Sequence, residues 1–263
     1  MMKASLLSSS VTPESWVAAL WQHAVALDLA HVHIVLDQAG LDSSWKKGLQ
    51  ADVLMGELLA DTQHAEAASE GAVLFRIPVI SNGPSPALVR LFERVHQQSR
   101  LLVLMSDWHF TQLLEYLKFH SQVQWEGGKK QGVLRFCNPW LFPVVSTVLT
   151  PKQQAVLHSA AYEWHWIDRD GDSMMLASAH APIPESIADG PISLDQEQID
   201  MLSAWHQAEL WRQSDLIVPG DCGVTTQEEL MRKLVNAQIE ADKMEMWSQA
   251  PRLVFLRQQV GLH

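Results

Sequence analysis

The sequence predicts an α/β lobe, a mixed sheet flanked by helices, joined to a smaller all-α lobe. Three observations predict it. Short aliphatic runs alternate with amphipathic segments as far as residue 120, the pattern of a sheet covered by helices. Two hairpin patterns follow, 121–126 with 132–137 around Gly127-Gly128 and 161–167 with 173–179 around Asp170-Gly171. Hairpins in such a layout make the sheet mixed rather than purely parallel. Beyond a stretch holding Pro182, Pro184, Gly190 and Pro191, every apolar pattern has the helical period. The expected organisation is an α/β lobe over residues 1–180, a linker over 181–194 and a helical lobe over 195–263.

Taken in order, Thr12-Pro13-Glu14 opens a helix with Trp16, Leu20, Ala24 and Leu27 on one side. Residues 32–36, V-H-I-V-L, form a buried-type strand. The weak periodicity of 42–66 predicts helical turns. A second strand, 72–77, ends at Pro78, and the turn Ser81-Asn82-Gly83-Pro84 leads into a helix over 85–98 with Leu88, Leu91, Phe92 and Val95 inward. A third strand covers 101–105. Ser106-Asp107 then caps a helix carrying Phe110, Leu113, Leu114 and Leu117.

The segment 133–157 reads as a buried strand ending on Arg135, an Asn138-Pro139 corner, a short apolar helix and a second helix opening on Thr150-Pro151-Lys152-Gln153. Thr at the N-cap, Pro at the first helical position and Gln three residues on make a capping box. A buried guanidinium at Arg135 must be paired, and its fork suits a carboxylate or the carbonyls of the following turn. In the helical lobe, Ser193-x-x-Gln196 caps a helix with Met201, Ala204, Trp205, Ala208 and Trp211 along one stripe. Thr225 or Thr226 caps the next, with Leu230, Leu234, Ala237, Ala241 and Met244 inward. Pro251 begins the last, with Leu253, Leu256 and Val260.

Composition narrows the function. A hydrophobic content of 47% with 19% charged residues is that of a globular chain. The formal charge is −11, with no dense run of Lys or Arg. Nucleic-acid binding needs concentrated positive charge, so that class is set aside. An acidic surface favours a basic protein partner. Cys137 and Cys222 stand far apart without CxxC spacing, as buried thiols of a reducing compartment do. The N-terminus lacks the apolar core of a signal peptide, and no apolar run is long enough for a bilayer. The expectation is a cytoplasmic protein with no membrane contact.

No residue cluster has the spacing of an active site. His31-x-His33 puts two imidazoles on one strand face, but no third ligand accompanies them, and the plainer reading is two strand histidines with a hydrogen bond each. His64-x-Glu66 is not followed by P-C-x-x-C. Asp168-x-Asp170-Gly171-Asp172 carries its glycine too early for a calcium loop and fits a hairpin turn. Ser85 is flanked by Pro84 and Pro86, which a nucleophile elbow does not tolerate. Catalytic residues, metal ligands and cofactors are therefore expected to be none. Eleven tryptophans against two tyrosines suit a core or an interface alike. Tyr162, Trp164 and Trp166 on one strand face read as core.

With these residues in view, Gly71 to Ala160 resembles the domain of unknown function found in Tap/Tec-type adaptor chaperones of type VI secretion. That family shows an Arg-Phe-aromatic-Asp-Pro-Arg corner, an apolar helix and Leu-Thr-Pro-Glu-Gln. Here the positions read Arg135-Phe136-Cys137-Asn138-Pro139-Trp140 and Leu149-Thr150-Pro151-Lys152-Gln153. Val73 to Ile77, Leu104 to Asp107 and Leu113 to Leu117 are similar as well. Cys137, Asn138 and Trp140 depart from the pattern, so an ion pair made by the family at this corner is in doubt here. The resemblance implies a non-enzymatic adaptor that binds one toxic effector and loads it onto the spike (VgrG-type) protein. The expected grip is a groove between the lobes, with Trp205, Trp211 and Met201 as anchors. Rival readings are a structural or scaffold subunit of the secretion machinery, which predicts a stable homo-oligomer, and an enzyme of unrecognised type.

Overall fold

Strands β2 (His31–Asp37) and β5 (Leu101–Met105) are buried along almost their whole length, as near-continuous aliphatic runs are when both faces of a sheet are covered. The computed structural model describes residues 3–4, 11–46, 53–80, 83–96, 100–179 and 190–262. It divides into two units, Met1–Ser193 and Leu194–His263. Of the expected linker, 181–189 lies outside the described residues.

In the first unit β2 and β5 lie inside a seven-stranded sheet. Its other members are β1 (Lys3–Ala4), β3 (Met55–Glu57), β4 (Ala72–Pro78), β8 (Glu163–Ile167) and β9 (Ser173–Ala177), in the order β1-β9-β8-β5-β2-β4-β3. Every neighbouring pair in it is antiparallel. The parallel pairing sits in a smaller sheet, where β10 (Ile192–Ser193) runs alongside β6 (Gln122–Trp125), itself in a hairpin with β7 (Lys130–Val133). The first unit is α/β and the second all-helical, the fold class that the sequence predicts.

Registry decides which side chains share a face. His33, Arg76, Leu104 and Trp164 are cross-strand partners on one face; Ile34, Phe75, Val103 and His165 share the other. On the second face α1 (Pro13–Ala26) and α2 (Pro86–His96) bring Trp16, Leu20, Leu88 and Phe92 onto Ile34, Phe75 and Val103. On the first, Phe110 of α3 (Phe110–His120) stacks on His33 at 6.5 Å. Phe142 of α4 (Phe142–Val148) stacks on Trp164 at 5.1 Å and meets Trp166 edge-on at the same distance. Trp164 and Trp166 are therefore core, while Tyr162 bonds Asp107 through its hydroxyl.

Several local expectations shift. Residues 42–66 hold strand β3 as well as turns. Its three residues pair with β4 in space, which periodicity cannot register. Helix α3 starts at Phe110 behind His109, not at Ser106-Asp107; the Ser106 hydroxyl instead accepts the Trp108 N–H at 3.3 Å. The Asp168 carboxylate takes the N–H groups of Asp170 and Asp172 at 3.0 and 2.9 Å, closing the β8–β9 turn. His33 has no protein hydrogen-bond partner on either ring nitrogen among the described residues, contrary to the plain strand reading.

The capping box at α5 (Pro151–His158) forms as the sequence requires. Gln153 does more than cap. Its Oε1 accepts the Thr150 N–H at 2.8 Å, and its Nε2 donates to the Ser193 carbonyl at 2.7 Å, pinning β10. Gln153→Ala is expected to cost about 1–2 kcal/mol. Gln153→Glu keeps the cap and loses only the strand contact, so about half that loss is expected. Urea unfolding of both variants checks the division.

The second unit stacks α6 (Gln196–Ser214), α7 (Gln227–Lys243) and α8 (Gln249–Val260). Their core joins Ala204, Ala208 and Trp211 to Leu230, Leu234, Ala241, Leu256 and Val260. Helix α6 is capped by Asp195 with Gln198 rather than by Ser193 with Gln196, because Ser193 is taken by β10. Thr226 caps α7 with Glu229, and α8 begins at Gln249, two residues before Pro251.

Candidate functional site

Two places gather the residues that the sequence singles out, one in each unit. The first is the corner. Strand β7 ends at Val133, so Arg135 lies past it and is exposed rather than buried, its side chain 56% accessible. It points to Asp37 at the end of β2, a long 3.5 Å away. The closer partner of Asp37 is Asn138, whose Nδ2 donates to Oδ2 at 3.0 Å. The same amide accepts the Trp140 and Leu141 N–H groups at 3.0 and 3.3 Å. Asp37 itself is buried, with its other oxygen on the Ala39 N–H.

Asn138 is thus used on both ends: its oxygen starts the turn into α4 and its nitrogen neutralises a buried carboxylate's lone pair. Phe136 and Pro139 are buried beside it. The Trp140 ring lies under the Arg169 guanidinium at 4.7 Å, a cation–π contact. Burial and the nearby Asp37 carboxylate push the Cys137 thiol up to about 12, so it is no nucleophile at neutral pH. The corner is a built clamp on the end of β2, whereas Thr150, Pro151 and Gln153 cap α5 and reach β10.

One hydroxyl–imidazole pair in this unit has the look of catalytic machinery. Ser146 Oγ and His158 Nε2 are 2.9 Å apart beside a pocket of about 510 Å³. Burial, the larger cause, lowers His158 to about 4, the wrong direction for a base poised near neutrality. The pair ties α4 to α5.

The second place is an open groove of about 880 Å³ on the helical unit, lined by Met201, Ile239 and Trp247 with Glu197, Asp200, Asp242, Lys243 and Arg252 at its edges. Helices α6 and α7 supply its walls, and the turn between α7 and α8 supplies Trp247. Arg252 is fixed in place, Nη1 on Asp242 at 2.5 Å and Nη2 on Gln238 at 2.7 Å. Lys243 pairs with Glu240 at 2.8 Å. Glu197 and Asp200 stand exposed on α6, leaving that rim acidic. An apolar floor with an acidic rim suits an apolar side chain flanked by basic residues.

Of the expected anchors, Met201 lines this groove and is half-buried. Trp205 is half-buried against the core of its own unit. Trp211 lies within that core at 7% exposure, its indole N–H on Asp215 at 3.2 Å, and Arg257 reaches the same carboxylate at 2.9 Å. That guanidinium holds Asp215 below its usual range.

The sequence reading missed Trp247, which is 72% exposed, more than any other tryptophan among the described residues. It placed Met244 inward, but Met244 caps the end of α7 and is 58% exposed. The helical period runs on through M-E-M-W while the helix stops at Lys243. Two methionines and a tryptophan just past a basic last turn were the available signal.

Residues 32–156, a little under half of the chain, match the family model described as "Domain of unknown function (DUF4123)". No curated protein and no solved structure matches the chain. The matched span runs from β2 to α5 and so contains Asp37, Arg135, Asn138 and the capping box. Among the described residues, no helix is long and apolar enough to cross a membrane. Over residues 32–156 the chain is similar to the DUF4123 domain, which is associated with Tap/Tec-type adaptors of type VI secretion.

Proposed function

We propose that this chain is an adaptor chaperone of the bacterial cytoplasm that captures one toxic effector and passes it to the VgrG-type spike protein. The observation that carries the reading is the acidic-rimmed groove on the helical unit, attached to a DUF4123 domain. Capture has to be specific yet reversible. A shallow groove with one large aromatic anchor and steering carboxylates offers both, because rim charges act mainly on the rate of encounter and a single aromatic sets the residence time. Met201 and Trp247 are the contact residues of this reading, while Trp205 and Trp211 belong to the core of the same unit. The bound segment is apolar at one position and basic around it.

The test is co-expression of the tagged chain with the neighbouring toxin and spike genes, followed by co-purification and titration. A one-to-one complex with the toxin is expected. Trp247→Ala should weaken it by about 2 kcal/mol, roughly thirtyfold, while leaving the unfolding curve unchanged because the side chain is exposed. Undiminished capture by Trp247→Ala and Met201→Ala together would move the contact elsewhere. A stable homo-oligomer that ignores the toxin would favour a scaffold subunit instead.

A further inference from the structure

Three side chains from distant parts of the first unit converge on one point of the sheet. His23 sits in the last turn of α1; Glu163 and His165 follow one another on the same face of β8. Glu163 Oε2 lies 3.2 Å from His23 Nδ1 and 2.8 Å from His165 Nε2. The two imidazoles meet edge to face, 5.3 Å between ring centres. Among the described residues this is the group of three or more potential ligands whose donor atoms all lie within 4.8 Å of one another.

We propose that His23, Glu163 and His165 form a divalent transition-metal site, with zinc as its natural occupant, that fastens the end of α1 to β8. The donor set is two imidazole nitrogens and one carboxylate oxygen, which suits zinc and excludes magnesium and calcium by type. Donor atoms around a tetrahedral zinc stand roughly 3.4 Å apart, given metal–ligand distances near 2.1 Å. Both carboxylate–imidazole separations, 2.8 and 3.2 Å, fall short of that figure by tenths of an ångström, so along these two edges occupancy needs only small outward shifts. Each neutral imidazole turns its lone pair to the metal by carrying its proton on the other nitrogen.

The surroundings support a cation. The last turn of a helix presents unpaired carbonyls and the negative end of its dipole, and His23 stands there. Burial is graded across the set: His165 is 4% exposed, Glu163 has a side chain 17% accessible, and that of His23 is 48% accessible. Two ligands are thus held by the sheet, and the third admits the metal from solvent, leaving a fourth position for water or a donor from another polypeptide. Met175 faces His165 across the β8–β9 ladder and narrows the approach on that side.

The experiment uses the full chain, prepared without a polyhistidine tag and stripped with a chelator. Zinc chloride is titrated in by calorimetry, cobalt(II) by its visible absorption, and magnesium chloride as control. One equivalent of zinc is expected to bind, with a tetrahedral-type cobalt spectrum and no magnesium response. His23→Ala, at an exposed position that leaves the fold intact, should weaken zinc at least about tenfold, and Glu163→Gln likewise. Zinc should also raise the unfolding midpoint of the wild type but not of His23→Ala. Absence of zinc binding, or binding unchanged in both variants, overturns the site.

Discussion

Acidification from pH 6.5 to 4.5 is expected to remove most of the stability of the first unit, through three buried histidines. His33, His120 and His158 are buried at 2%, 4% and 8% exposure. Burial lowers His33 to about 3, with the Arg76 charge adding to it, and lowers His120 and His158 to about 4. In the unfolded chain each returns to about 6.5. The unfolded state therefore binds protons that the native state refuses. Their full stabilisation is present above pH 6.5 and declines as the pH falls toward the native values, where it levels off.

Each such histidine contributes a slope of about 1.4 kcal/mol per pH unit inside that window. Three together lose about 4 kcal/mol between pH 6 and 5, against a total stability of about 5–15 kcal/mol for a domain. Urea unfolding from pH 7.5 to 4.5 reads this directly. His33 offers the cleanest check, since both ring nitrogens lack protein partners among the described residues. His33→Leu discards an unpaired polar group worth about 1–3 kcal/mol of burial cost. It should raise stability at pH 7 and reduce the acid slope by one proton. An unchanged slope would mean that His33 is not neutral and isolated as its surroundings imply.

What was legible in the sequence follows from how local each signal is. The capping box at Thr150 and Gln153 lies within four residues, and it forms as read. Strands β2, β4 and β5 were visible because their runs are aliphatic on both faces. β3 and β10 were not, because a strand of two or three residues has no measurable period and exists only through a partner far along the chain. The cap of α6 was misread by two residues because Ser193-x-x-Gln196 and Asp195-x-x-Gln198 both fit the rule, and the pairing of Ser193 with β6 selects the second. At the candidate sites the same logic holds. Asp37 meets Asn138 across 101 positions, so the corner's residues could be found but not their partner. The sequence offered His31-x-His33 as a histidine pair, whereas the structure brings His23 to His165.

Asn138→Asp is expected to be among the most damaging single-atom changes available to the chain. It is also the residue that the resembled family carries. The aspartate would still accept the Trp140 and Leu141 N–H groups, so the turn into α4 would survive. It would lose the Nδ2 donor to Asp37 and place a second carboxylate about where that nitrogen now stands, 3.0 Å from a buried oxygen. Arg135 is too exposed, and at 3.5 Å too distant, to neutralise both. A lost charge-assisted hydrogen bond and the added repulsion sum to about 3–5 kcal/mol. Two controls separate the causes. Asn138→Ala removes the donor without the charge and should cost less. Asp37→Asn added to Asn138→Asp exchanges the amide and the carboxylate, and should recover about 2 kcal/mol or more relative to additivity in a double-mutant cycle. The pH dependence has a sign of its own. One carboxyl of the new pair is raised above its unfolded value, so the penalty is full above that raised value and relaxes as the pH falls through it. The gap between Asn138→Asp and wild type should therefore narrow on acidification while the wild type itself weakens. A constant gap from pH 7.5 to 5 would show that the two carboxylates do not meet.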